Sequence, residues 1–197
     1  MKQLITPIGT ALYPRLTTPD TKFNDDGVYS CKLILDKEGY DQVMGQITPW
    51  FEGEHQRLVK ESGKKNLDIS NKLPIKVNDD GDYELTAKQV SKKETKKGLL
   101  TFAVSLIDSK GNKINDAPNI GSGSRIKLCV EPYAYFSPLL GVGYTLRLKA
   151  AQIIELKEYD SGGGGGFGFG SEDGGFVSED LGDVLENDQQ KDASIPF

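Results

Sequence analysis

The chain has 197 residues, 37% of them hydrophobic, with 24 basic and 29 acidic side chains and a net charge of −5. That length allows one domain with a real core plus an extension. The longest apolar stretch, residues 99–107, is broken by Thr101 and Ser105 and is far too short for a transmembrane helix; with His55 the single histidine, zinc sites and Ser-His or Cys-His catalysis lack their ligands or base.

Residues 1–7 hold no apolar segment of a secretory leader, so a soluble, cytoplasmic protein is expected. Residues 3–14 read as a long bent strand, with Pro7 and Gly9 marking an edge or a bulge. Residues 17–27, rich in Pro, Asp and Asn, read as a loop. From 28 to 35 the pattern alternates, with Tyr29, Cys31, Leu33 and Leu35 on the core side and Ser30 and Lys32 on the other.

Asp36 opens a helical segment carrying Tyr40, Val43, Met44 and Ile47 at helical spacing. Thr48 and Pro49 look like the cap and first turn of a second helix, whose stripe of Trp50, Phe51, Leu58 and Val59 ends near Gly63. At that spacing Trp50 belongs to the core rather than to a base-stacking platform. Residues 64–82 read as loop, and the acidic run 78–82 as a turn, because no glutamate follows at calcium-loop spacing.

Residues 83–90 and 99–107 read as strands flanking a hairpin loop, 91–98. Lys88, Lys92, Lys93, Lys96 and Lys97 there face a single Glu94, the densest basic cluster in the chain. Turns follow at 108–112 and 121–124. In the strand that begins at Arg125, Ile126, Leu128 and Val130 alternate with Arg125, Lys127 and Cys129. Tyr133, Tyr135 and Phe136 make the tip of the next hairpin aromatic, and residues 144–156 close the domain with Leu146 and Leu148 opposite Arg147 and Lys149. Cys31 and Cys129 lie inside strand-like runs and read as buried free thiols.

Five or six strands with one helical insertion after the second make the chain mainly β. The expected architecture is an OB-type barrel over residues 1–160. Cations and aromatic rings recur on its hairpins and outward faces. A binder of single-stranded nucleic acid needs both, cations for phosphates and rings for base faces. The candidate nucleic-acid-binding residues are Arg15, Lys32, Lys88, Lys92, Lys93, Lys96, Lys97, Phe102, Arg125, Lys127, Tyr133, Tyr135, Phe136 and Arg147.

Residues 161–171 form a Gly/Phe-rich run with little to bury and much backbone entropy to lose, so a flexible linker is expected. Residues 172–197 are expected to be a disordered tail. Its eight acidic residues and one lysine give it a formal charge of −7, against +2 for residues 1–160. Tethered to a weakly basic body, such a polyanion can compete with nucleic acid at high effective concentration. It stops on Ile195, Pro196 and Phe197, an apolar plug suited to a pocket with a basic rim.

The ending Asp192, Ala193, Ser194, Ile195, Pro196, Phe197 resembles the C-terminal tip of bacterial single-stranded-DNA-binding proteins. The body resembles the single-stranded-DNA-binding proteins of tailed bacteriophages. The likeness rests on Leu12-Tyr13-Pro14-Arg15, Gly27-Val28-Tyr29, the stretch from Gly121 to Lys127, Glu131-Pro132-Tyr133-Ala134-Tyr135 and Leu146-Arg147-Leu148-Lys149-Ala150. This resemblance implies an OB fold and sequence-nonspecific binding and protection of single-stranded DNA in phage replication, recombination and repair, in a bacterial cytoplasm. It also implies replication or recombination partners engaged through Asp192, Ile195, Pro196 and Phe197. A homodimer is compatible with it. No cofactor, metal or catalytic residue is expected. The alternatives are a protein-only adaptor on the same scaffold and a metal-dependent nuclease. For the nuclease, Asp20, Asp25, Asp26, Asp79 and Asp82 fall in turns with no spacing that gathers them.

Overall fold

A computed structural model describes residues 2–158. The elements run β1 (Leu4–Ile5), β2 (Gly9–Asp20), β3 (Val28–Leu35), α1 (Lys37–Ser62), β4 (Ile75–Val77), β5 (Tyr83–Val90), β6 (Lys92–Thr95), β7 (Gly98–Thr101), β8 (Ser105–Ile107), β9 (Arg125–Ser137) and β10 (Gly141–Glu155). The linker and tail expected at 161–197, and the boundary at residue 160, lie outside the described residues.

Five strands close on themselves. β2 pairs with β3, β3 with β5, β5 with β10, β10 with β9, and β9 returns to β2 through Gly9 opposite Ile126 and Thr10 opposite Arg125. All these contacts are antiparallel except β5–β10, which meets in parallel at Lys88 and Arg147. This is the OB-type barrel, with its helix after the second barrel strand. β3 and β5 pair along their whole length, from Val28 opposite Val90 to Leu35 opposite Tyr83. The inward residues Leu33, Leu85, Cys31 and Ala87 are accordingly at most 1% exposed. The two-residue period of the sequence is the cause, since a half-buried strand must alternate.

The long β9–β10 hairpin carries Val130, Leu146 and Leu148 into the same core, each fully buried. An extra residue at Lys149, between Leu148 opposite Val130 and Ala150 opposite Cys129, forms a bulge that bends β10. On one side of the bulge β10 borders β5; on the other it borders β8.

Several details differ from the sequence expectation, among them a short strand, β4, inside the stretch 64–82 read as loop. The helix is continuous from Lys37 to Ser62 and passes through Pro49 instead of restarting there. Pro49 and Gly45, whose carbonyl loses its partner, are both solvent-exposed, so water can satisfy the freed acceptor. On the buried face Val43, Ile47 and Phe51 run past the proline, and Trp50 and Phe51 pack on Tyr144 with ring centroids at 5.9 and 4.9 Å. Asp36 caps the start, its Oδ1 accepting the Gly39 N–H at 2.7 Å, and Gly63 caps the end with φ +65°.

β2 extends to Asp20, so the loop is residues 21–27 and not 17–27. Residues 99–107 split into β7 and β8, and β7 pairs with β6 as a separate two-stranded ribbon, giving the basic cluster strand structure. His55 shares a hydrogen bond between Nε2 and the Leu67 carbonyl at 2.8 Å and ties the helix to the following loop.

Cys31 and Cys129 are free thiols, the first buried and the second half-buried. The 78–82 segment is a turn closed by the Asp82 N–H donating to Asn78 Oδ1 at 2.7 Å.

Candidate nucleic-acid interface

The side chains that alternate away from the core form one belt across the barrel. β3 contributes Ser30 and Lys32, β5 contributes Glu84, Thr86 and Lys88, β10 contributes Thr145 and Arg147, and β9 contributes Glu131, Tyr133 and Tyr135. The register places Ser30 opposite Lys88, Lys32 opposite Thr86, Lys88 opposite Arg147 and Thr145 opposite Tyr133. These neighbours lie far apart in sequence, and closure of the barrel brings them together.

A groove of about 630 Å³ runs over this belt. Tyr13 stands on its β2 side and Tyr135 on its β9 side, with Lys32, Lys72, Lys76 and Lys88 between them. The loop carrying Lys72 is pinned as a wall by two backbone bonds, Ser70 N–H to the Val142 carbonyl at 2.8 Å and Val142 N–H to the Asp68 carbonyl at 2.7 Å. Gly143 lets the Tyr135 ring lie over β10, since a Cβ there would sit 2.7 Å from the Tyr135 hydroxyl oxygen.

Charges on the belt are not equivalent. Lys32 Nζ lies 3.1 Å from Glu84 Oε2, and the Thr86 hydroxyl donates to Glu84 Oε1 at 3.3 Å. Glu84 is buried, so its charge is answered from within the groove floor. Lys72, Lys76 and Lys88 make no ion pair among the described residues.

Next to the groove, Arg147 stacks its guanidinium 3.9 Å from the Tyr133 ring centroid. Lys149 bonds Glu131 at 2.8 Å, and this bond, with the nearby Arg147 charge, holds the Glu131 carboxyl below its ordinary range. Arg147 also borders a hollow of about 160 Å³ with Lys93, Phe102 and Lys149 at the foot of the β6–β7 ribbon.

Tyr13 has φ +47°, the one positive value at a non-glycine among the described residues. Such a conformation costs on the order of 1–3 kcal/mol. The residue is 75% exposed.

The family model described as the single-stranded DNA-binding protein of bacteriophage T7 matches residues 8–156, from the start of β2 to the end of β10. The chain belongs to that family. It is 30% identical over 173 residues to the single-stranded DNA-binding protein of Enterobacteria phage T3, covering 80% of this chain and 74% of that one. It is 27% identical over 155 residues to the single-stranded DNA-binding protein of Escherichia phage T7, covering 71% and 66%. The crystal structure of gp2.5, a single-stranded DNA-binding protein encoded by bacteriophage T7, superposes with a TM-score of 0.71 at 24% identity, over 90% of this chain and 98% of that one. That likeness is one of fold.

In this member of the T7 single-stranded DNA-binding family, the residues singled out from sequence do not gather in one place. Lys32, Lys88 and Tyr135 line the groove, and Lys93, Phe102 and Arg147 line the adjacent hollow with Tyr133 beside it. Arg15 is exposed on β2 opposite Ser30. Lys92, Lys96 and Lys97 are exposed on the ribbon. Arg125 and Lys127 lie eight and six residues from Tyr133 on β9, about 26 and 20 Å along the strand, and are not brought to the groove.

Phe136 alternates to the opposite side from Tyr135. It packs on the core, with the Lys64 ammonium 5.4 Å from its ring centroid. Asp192, Ile195, Pro196 and Phe197 lie outside the described residues. Sequence reasoning did not single out Tyr13, Lys72 and Lys76, which line the groove, or Lys149, which lines the hollow. The Tyr13-Pro14 pair inside a strand was a usable signal of a bulge; Lys72 and Lys76 sit in a stretch without periodicity and carried none.

Proposed function

We propose that the groove between Tyr13 and Tyr135 is the track on which this chain holds single-stranded DNA with little regard to sequence. As a member of its family the chain is a single-stranded DNA-binding protein of bacteriophage replication and not an enzyme. The observation that carries the track is the convergence of Lys72, Lys76 and Lys88, free of ion pairs among the described residues, with two tyrosine rings in one groove. Unpaired strands expose base faces to stack and phosphates to neutralise, features common to all four bases; a duplex hides the faces.

Around this domain, taken as residues 1–160, residues 161–171 serve as a linker and residues 172–197 as an acidic protein-interaction tail. The tail, at −7 against +2 on the body, competes with DNA for the groove and offers Ile195, Pro196 and Phe197, with Asp192 beside them, to replication or recombination proteins in the host cytoplasm.

Titration with oligothymidine, mixed-sequence and duplex oligonucleotides of equal length tests the track. The single strands should bind alike and far more tightly than the duplex, and Lys72→Ala with Lys88→Ala should weaken them; equal affinity for duplex would refute the reading. Deleting residues 172–197 should raise DNA affinity and abolish capture of a partner, whereas deleting Phe197 alone should abolish capture and leave DNA affinity unchanged.

A further inference from the structure

We infer that Tyr13 is a base-stacking platform, and that the β2 bulge exists to hold its ring at the groove rim at the expense of backbone strain. The inference rests on the single-stranded DNA reading above and assigns one wall of that site.

Ala11 is fully buried, so an unbroken β2 would turn Tyr13, two residues on, into the core as well. Instead Tyr13 is 75% exposed. The register explains the reversal. Leu12 is opposite Lys32 and Arg15 opposite Ser30, so Tyr13 and Pro14 together face the single Cys31. This is a bulge, a device that re-aims a side chain.

The backbone is held there against its preference. Tyr13 carries a Cβ at φ +47°, and Pro14 after it ordinarily confines the preceding residue to extended conformations. The Tyr13 N–H donates to Ser122 Oγ at 2.9 Å, locking the turn from the loop before β9.

The fold gains little from this arrangement. A residue exposed to that extent contributes little hydrophobic stabilisation, and the backbone conformation itself would suit glycine better. What the bulge achieves is to place an aromatic face on the groove wall, beside Ser30 and Lys32 and across the lysines from Tyr135. A strained residue that stabilises nothing in the protein but lines a binding groove is a pre-organised ligand contact.

Tyr13→Gly and Tyr13→Phe, made in the full chain, separate stacking from structure. Each is titrated with a short oligothymidine and with an abasic phosphodiester strand of the same length, and each is melted. Tyr13→Gly should lose about 5- to 150-fold in affinity for oligothymidine, keep its affinity for the abasic strand, and melt no lower than the wild type. Tyr13→Phe should bind both strands as the wild type does. Unchanged oligothymidine affinity in Tyr13→Gly, an equal loss on the abasic strand, or a lowered melting temperature would overturn the assignment. A wild-type chain that binds neither strand would overturn the underlying reading, and this one with it.

Discussion

Replacing Glu84 with Gln should tighten single-stranded DNA binding while weakening the fold. The Glu84 side chain is 7% exposed and that of its partner Lys32 is 44% exposed, with 3.1 Å between Oε2 and Nζ. In the native groove the Lys32 charge is therefore answered by the protein, and a passing phosphate gains little from it. The amide keeps the shape of the side chain and removes its charge, leaving Lys32 to meet phosphate. One added phosphate contact steepens the log–log salt dependence by ~0.7, which is a ~2.6-fold extra gain in affinity between about 200 and 50 mM salt.

The fold loses a charge-assisted hydrogen bond that is open to water on one side, worth about 1 kcal/mol. In a domain of this size that loss lowers the melting temperature by roughly 2–4 °C. Fluorescence anisotropy across a salt series, with a thermal melt of the same preparation, reads both effects. A weaker affinity, or an unchanged slope, would refute the reasoning: Glu84 would then touch DNA itself, or Lys32 would not reach a phosphate.

The two faces of the ribbon should behave differently. Lys93→Ala, at the hollow beside Arg147, should flatten the salt slope by ~0.7, and Lys92→Ala, on the face shared with Glu94, should leave the slope unchanged. Phe136→Ala should cost about 2 kcal/mol of stability, read by denaturant unfolding, with DNA affinity preserved; Tyr133→Ala should reverse that balance, losing about 1–3 kcal/mol of binding. The Cys31 thiol is pushed up to about 12 by burial, so it should resist alkylation in the native chain and react once the chain unfolds. Because the unfolded thiol releases its proton first, that group's stabilising contribution is complete below about pH 8.5 and falls by about 1.4 kcal/mol per pH unit above it, up to pH 12; unfolding titrations from pH 8 to 11 read this.

What the sequence alone determined are the features whose cause is local. Strands β3 and β5 begin and end where their alternation does, because a strand with one buried face must repeat every two residues. Asp36 and Gly63 bound the helix because an acceptor side chain and a left-handed residue are what helix ends require. The mainly β character, the basic ribbon segment and the acidic stretch are equally plain in composition.

Tertiary structure decided whatever depends on partners distant in sequence. Pro49 stays helical because both sides of the break are anchored, Val43 and Ile47 before it by burial in the core and Trp50 and Phe51 after it by packing on Tyr144, more than ninety residues away. Which of the adjacent rings Tyr135 and Phe136 faces the groove depends on the pairing of β9 with β10 and on the space that Gly143 leaves. Lys72 joins Lys32 and Lys88 because two backbone bonds fix its loop to β10, and Lys76 joins them because β4 pairs with β5 and sets it opposite Glu84. Lys88 meets Arg147 through the parallel contact that closes the barrel. A groove of this kind is a property of closure. Periodicity assigns each side chain to a face of its own strand, and only the register between strands decides which faces become neighbours.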